Sequence, residues 1–247
     1  MLLVLAIIFG ILPGFAWLIF YLQEDPHPEP RRLIVYVFLV GGIVTFLAVG
    51  LEIGYLNALK LLGWQTPIAL LTGLAIIEEV LKFAATYASI HRSRYFDEAV
   101  DAMIYMVVAS LGFATAENIL FAVGDIQEGL TAGIMESSLI GGVFETISLR
   151  FVGATLLHTL ASAIVGYYWA LGIAQRREKH FIALGLLCAT LLHAFFNYLI
   201  ITYGPGQIYY STLLLVIVAA VVLHDFEKIK GYPRQAKHFH PSQNPSV

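Results

Sequence analysis

Runs of about twenty predominantly apolar residues fill most of this chain, and they leave it little choice of solvent. They fall at 2–22, 33–56, 67–90, 98–123, 151–173, 181–203 and 208–223. Each is long enough, at ~1.5 Å of rise per residue, to cross a ~30 Å hydrocarbon core. The loops between them are too short to fold alone. Charged residues make up only 13% of the chain and hydrophobic ones 59%. Soluble domains hold roughly 25% charged and 45–50% apolar residues. In lipid every backbone polar group has to be satisfied within the protein. The expected fold is therefore all-α, a polytopic transmembrane helical bundle of about seven spans over residues 1–223. A polar cytoplasmic tail, 224–247, follows, and its proline-containing part from 231 reads as disordered.

Basic residues set the expected orientation. With the N-terminus outside, the inner segments hold Arg31, Arg32, Arg92, Arg94, Arg176, Arg177, Lys179, Lys228, Lys230, Arg234 and Lys237. The outer ones keep Lys60 and the span-flanking Arg150. That asymmetry is what the positive-inside rule requires, with the C-terminus inside. The first run lacks a preceding basic residue and a small-residue cleavage site, so it reads as a retained helix kinked at Pro13-Gly14 rather than a signal peptide. A net charge of −3 gives no reason to expect nucleic acid, and the single Cys188 excludes an internal disulfide and any cysteine-rich metal site.

Segment 124–149 is the exception. Its second part, 130–149, is nearly apolar enough for an eighth span but carries Glu136 and Glu145. A span there would invert everything after it and place Arg176, Arg177 and Lys179 outside. It reads instead as an outer-face amphipathic or re-entrant element.

Ionisable residues inside the runs point to function, because a charge at the bilayer centre costs at least ~2.5–3.5 kcal/mol on insertion scales. The third run holds Glu78-Glu79-Val80-Leu81-Lys82, the fourth Glu117 and Asn118, the fifth His158, and the sixth His193 and Asn197. Counting rise from the outer end puts Glu117 and Asn197 at roughly 9 Å, His158 at roughly 11 Å, His193 at roughly 15 Å, and Glu78 and Glu79 at roughly 17 Å. Antiparallel helices thus deliver their polar side chains to one layer in the outer half of the bilayer.

Helical spacing refines this layer. Lys82 is i+4 from Glu78 and i+3 from Glu79, so it can neutralise either. Adjacent Glu78 and Glu79 diverge by about 100° and cannot do the same job. His193 and Asn197 share a face. Such groups suit water activation. Two histidines and a carboxylate match a catalytic Zn²⁺ set, with His158, His193 and Glu117 as candidate ligands. Alternatively a Glu–His pair activates water without metal, and His193 and Asn197 bond the oxyanion. Each residue alone has a plainer role: interhelical glue for a histidine or asparagine, a structural ion pair for Glu78–Lys82, an interfacial position for Glu52. Asp97, Glu98 and Asp101 suit the positive end of the fourth helix. The joint pattern carries the catalytic reading.

Glu78-Glu79-x-x-Lys82, Phe113-x-x-x-Glu117-Asn118, His158 and His193-x-x-x-Asn197, in that order on successive spans, resemble the PrsW family of intramembrane proteases. That family is related to the CAAX-prenyl and bacteriocin-immunity-type membrane proteases. Asp25-Pro26-His27-Pro28-Glu29-Pro30, Asp97 and Asp101-x-x-x-Tyr105 are similar to it as well. The likeness covers about residues 2–200. It implies an endopeptidase of the bacterial or archaeal plasma membrane whose partners are the bilayer and a single-span substrate. That substrate would be an anti-sigma-factor-like regulator cut first on its outer side. The resemblance implies Glu78 and Glu79 as the essential acidic pair and His158 and His193 as the essential histidines, supported by Lys82, Glu117 and Asn118. Where the CAAX-prenyl proteases carry a histidine in the second motif this chain has Glu117, so base, ligand and oxyanion roles stay open between a metal and a glutamate mechanism. The rival function is a proton- or cation-coupled transporter built on the same Glu/His/Lys cluster. Against it, the groups lie at one depth and no inverted repeat is visible.

Overall fold

The fold is that of a computed structural model describing residues 1–204 and 209–232, the side chains of Glu136 and Ser137 excepted. The described residues form eight α-helices and one short 3₁₀ turn at Leu22–Glu24, with no strand. The helices are α1 Leu2–Tyr21, α2 Arg31–Leu62, α3 Pro67–Ile90, α4 Ala99–Thr131, α5 Glu136–Val152, α6 Ala154–Ala174, α7 Glu178–Tyr203 and α8 Tyr209–Lys230. Five helical segments are long and apolar enough to cross a membrane, one of them running through α5 and α6. The all-α bundle expected from the sequence is observed.

α4 is the axis of the bundle. It is buried without a break from Val100 to Thr115, as a helix apolar on every side must be. α1, α2, α3, α5, α6 and α8 all pack on it. Small residues allow the closest approaches. A Cβ on Gly41 would collide with the Ala109 carbonyl, and one on Gly112 with the Phe38 carbonyl, so α2 and α4 cross backbone to backbone. Thr45 Oγ1 donates to the Phe113 carbonyl at 3.2 Å across the same crossing. On the far side Gly166 of α6 meets Ala102 in the same way.

Two boundaries differ from the sequence reading. α4 continues past residue 123 to Thr131, because α5 folds back antiparallel along this extension and covers it. Leu139 packs on Gly129, and Val143 and Ile147 share a buried cluster with Ala122 and Ile126. α5 then passes through Gly153 directly into α6. Segment 130–149 thus forms the turn after α4 and most of α5, which leads straight into α6. α8 runs to Lys230, seven residues beyond the expected boundary at 223. α1 is continuous through Pro13. The tail from 233, with Arg234 and Lys237, and the expected start of the last span at 208 lie outside the described residues.

One end of the bundle gathers the C-termini of α1, α3, α6 and α8 and the N-termini of α2, α4 and α7. Lys230 pairs with Glu24 at 2.7 Å, His27 with Glu98 at 2.8 Å, and Tyr105 donates to Glu29 at 2.5 Å, tying these termini together. Arg31, Arg32, Arg92, Arg94, Arg176, Arg177, Lys179 and Lys228 sit on the same termini and their turns. This is the basic end. Lys60 is at the other.

Candidate active site

α3 begins with Thr66 as N-cap, accepting from the Ala69 amide, and Pro67 in its first turn. Its apolar stripe packs on α2 and α7, which leaves Glu78, Glu79 and Lys82 facing inward toward α6 and α7. All three are buried, Glu79 and Lys82 completely. Lys82 Nζ donates to Glu79 Oε1 at 2.5 Å and to His158 Nδ1 at 2.9 Å, and stands 3.7 Å from Glu78 Oε2. Its ammonium also lies 5.0 Å from the centre of the Phe113 ring.

These contacts fix the proton on each histidine. An ammonium can only donate, so His158 Nδ1 accepts and its Nε2–H donates to Glu117 Oε2 at 2.9 Å. His193 Nδ1–H donates to Glu79 Oε1 at 2.8 Å, and its Nε2 faces Glu78 Oε1 at 3.9 Å. A carboxylate on one imidazole nitrogen orients the other toward a ligand or a reacting proton. The His158 and His193 rings meet edge to face, 5.1 Å between centroids.

Glu78 is the least committed member. Its contacts to Lys82, His158 and His193 span 3.6–3.9 Å, too long for direct hydrogen bonds, and buried Oε2 has no partner among the described residues. Glu79 is held on two sides through Oε1. The two adjacent glutamates are therefore held differently, as their angular separation predicts.

The other residues named from the sequence are distributed as follows. Glu117 and Asn118 lie one shell away, joined by Arg150 from the end of α5. Its Nη2 donates to Glu117 Oε2 at 2.5 Å and its Nε to Asn118 Oδ1 at 2.6 Å, while Asn118 donates to Thr155 at 3.0 Å. Asn197 is one helical turn beyond His193 on α7. With Arg150, Gly153, Phe196 and Ser211 it lines a cavity of about 210 Å³ between α5, α6, α7 and α8. Sequence reasoning missed Arg150 by treating it as a flanking residue, although a lone arginine in an apolar stretch is itself a signal. Glu52, expected at the interface, is near enough to Glu117, His193 and Lys82 to act on them electrostatically.

The metal question can be put to the donor set. Glu78, Glu79, His158 and His193 each offer one atom, all within 4.8 Å of one another. Two imidazoles and two carboxylates suit a borderline divalent ion, and Glu78, Glu79 Oε2 and His193 Nε2 are the positions without a committed donor. This group could hold a metal. Glu117, a ligand candidate from the sequence, is outside this group and bonds to His158 and Arg150 through Oε2.

Comparison with known proteins identifies the family. Residues 29–223 match the model of the PrsW family intramembrane metalloprotease. The chain is 26% identical to Protease PrsW of Geobacillus kaustophilus over 91% of its own length and 92% of that protein's. It is 28% identical to Protease PrsW of Bacillus subtilis over 85% and 88% of the two chains. With Protease PrsW of Oceanobacillus iheyensis the identity is 29%, over 77% and 80%. No solved structure matches. A multi-pass bundle of the bacterial cell membrane, with a Glu/His/Lys cluster sealed in its interior, thus belongs to the PrsW family of intramembrane proteases.

Proposed function

We propose that this protease cuts a single-span membrane protein on the side opposite the basic end, with Glu78 activating water. The observation that carries the reading is the meeting of Glu78, Glu79, His158 and His193 from three helices inside 4.8 Å, within an otherwise apolar bundle. The basic end faces the cytoplasm by the positive-inside rule, which supports an outside N-terminus and a cut near the outer face. An anti-sigma-factor-like regulator is the substrate class that the family resemblance favours. Residues 1–223 make up the protease domain.

Glu78 Oε1 and His193 Nε2, 3.9 Å apart, are too distant to bond directly and close enough for one water to bridge. Glu78 takes a proton from that water as its oxygen bonds to the peptide carbonyl carbon. Glu78 then returns the proton to the departing amine nitrogen as the C–N bond breaks. Lys82 holds Glu79 ionised, and Glu79 holds the His193 ring so that Nε2 meets the water. Lys82, 3.7 Å from Glu78, brings a positive charge to the site that favours the tetrahedral state. A divalent ion such as Zn²⁺, held by Glu78, Glu79 and His193, and by His158 were Lys82 to release its Nδ1, would polarise the carbonyl and lower the pKa of the attacking water. The cavity beside Asn197 and Arg150 suits the substrate segment, with the Asn197 amide turned to its backbone.

The test is cleavage of a single-span peptide substrate in proteoliposomes by Glu78→Gln, Glu79→Gln and His158→Ala. Abolished turnover in all three, with folded protein, is expected; wild-type turnover in any one removes that residue from the mechanism. Metal analysis of the purified protein and assay with a chelator complete it. Inactivation reversed by Zn²⁺ marks the metal form, and full resistance with no bound metal marks the glutamate form.

A further inference from the structure

A second group of carboxylates lies at the basic end, away from the active site. The segment 25–30, between α1 and α2, packs against the turn before α4. Asp25 folds back on its own loop, accepting from the amides of His27 at 2.9 Å and Glu29 at 3.3 Å. At the start of α4, Asp101 Oδ2 accepts from the amides of Asp97 and Glu98, at 2.9 and 2.7 Å, in a capping box with Glu98. Capping uses one oxygen of Asp101. The other, Oδ1, is buried with no hydrogen-bond donor among the described residues, and Asp101 is only 1% exposed.

Glu29, Asp97 and Asp101 each place a carboxylate oxygen within 4.8 Å of the other two. Asp25 is near enough to act on both Glu29 and Asp101. No lysine or arginine pairs with Glu29 or Asp101 among the described residues. Glu29 receives the Tyr105 hydroxyl at 2.5 Å. Burial pushes the Glu29 carboxyl up to about 7, opposed by the Tyr105 bond, reinforced by the charges of Asp25 and Asp97, and opposed again by a side-chain bond with Asp101. Carboxylates held this close need a shared positive charge. Helix capping explains why Asp101 is at the start of α4, but not why Glu29 is brought to it from a different loop.

We infer that Glu29, Asp97 and Asp101 form a binding site for a hard divalent cation, of the Mg²⁺ or Ca²⁺ class. The donors are all oxygens, which excludes the thiol- and imidazole-seeking metals as preferred occupants. Opposite ligands of Ca²⁺ lie about 4.6–5.2 Å apart and those of Mg²⁺ about 4.0–4.2 Å, so oxygens gathered within 4.8 Å fall inside the span that such ions bridge. Such an ion would clamp the α1–α2 loop to the start of α4, the helix that carries Glu117. It is separate from the metal question at the Glu78 cluster.

The experiment uses the full chain in detergent, stripped with chelator and titrated with Mg²⁺ alone, Ca²⁺ alone and Tb³⁺ alone. One cation equivalent that raises the unfolding temperature is expected in the wild type and in Glu78→Gln. It should be lost, or weakened at least tenfold, in Asp101→Asn. Glu29→Gln provides the same reading should Asp101→Asn fail to fold. Tb³⁺ emission excited through tyrosine should dim in Tyr105→Phe while binding persists, because that ring adjoins the site. Absence of binding by all three ions overturns the proposal. So does binding that survives both Asp101→Asn and Glu29→Gln, that Glu78→Gln removes, or that Tyr105→Phe leaves undimmed. A response to one of Mg²⁺ and Ca²⁺ alone identifies the occupant.

Discussion

The interior cluster and the acidic group at the basic end are both made of crowded carboxylates, yet they are balanced in opposite ways. In the interior, Glu78, Glu79 and Glu117 share two cations of the chain itself, Lys82 and Arg150, with two imidazoles between them. At the basic end, Glu29 and Asp101 are brought together with no lysine or arginine on either among the described residues. Depth explains the contrast. Where neither water nor ions have ready access, an unpaired charge costs several kcal/mol, so the sequence has to supply the counter-charge. At the end of the bundle solvent can supply a proton or a cation. Removing charge should therefore have opposite consequences in the two places.

The largest effect is expected at the two adjacent glutamates. Glu78→Gln should lower turnover by at least about 10²-fold, the smallest loss usual for a general base, and leave the unfolding temperature nearly unchanged. Glu79→Gln should lose as much activity and also about 3 kcal/mol of stability, because Lys82 then keeps its buried charge without its closest partner. Turnover assays paired with thermal unfolding in detergent read both. A stable Glu79→Gln with a destabilised Glu78→Gln would exchange the two roles.

Lys82→Met comes next. It strips the counter-charge from Glu79 and the donor from His158, and about 3–5 kcal/mol should be lost on unfolding. Unfolding of Lys82→Met at the wild-type temperature would show that the interior cluster is balanced by protons, as the acidic end could be, and would erase the contrast. A smaller effect is expected at Arg150. Its fork holds Glu117 through Nη2 and Asn118 through Nε. Arg150→Lys keeps the charge but cannot span both, so about 1–2 kcal/mol and roughly tenfold in turnover should go. Full activity in Arg150→Lys would reduce Arg150 to a simple counter-ion.

The sequence disclosed this arrangement unevenly, and the reasons are physical. Glu78, Glu79, His158 and His193 were legible because straight helices act as rulers, and residue counting alone brings them to one depth. The different contacts of the two glutamates followed from their angular separation. Arg150 was not legible, since its place depends on α5 folding back along α4, a packing that no helical period encodes. The same fold-back hid the end of α4: Asp125 and Glu128 look like a terminus until Leu139 and Val143 cover the neighbouring turn. The pairing of Glu117 with Arg150 was hidden for the same reason, because it needs the end of α5 brought beside α4. Glu52 could not be placed near the site without knowing how α2, a 32-residue helix, leans across the bundle.

The smallest predicted effect tests the contrast from its other side. Glu29→Gln removes one negative charge from the acidic group but keeps an oxygen that can accept the Tyr105 hydroxyl. In chelator this variant should be more stable than the wild type by about 1 kcal/mol, because repulsion from Asp25 and Asp97 is relieved. With saturating Mg²⁺ or Ca²⁺ the order should reverse, because the wild type gains binding energy that the variant has lost. Thermal unfolding in the two conditions reads the sign directly. Destabilisation already in chelator would mean that Glu29 is held there by hydrogen bonds rather than tolerated against repulsion. The acidic end would then be balanced internally, as the interior cluster is.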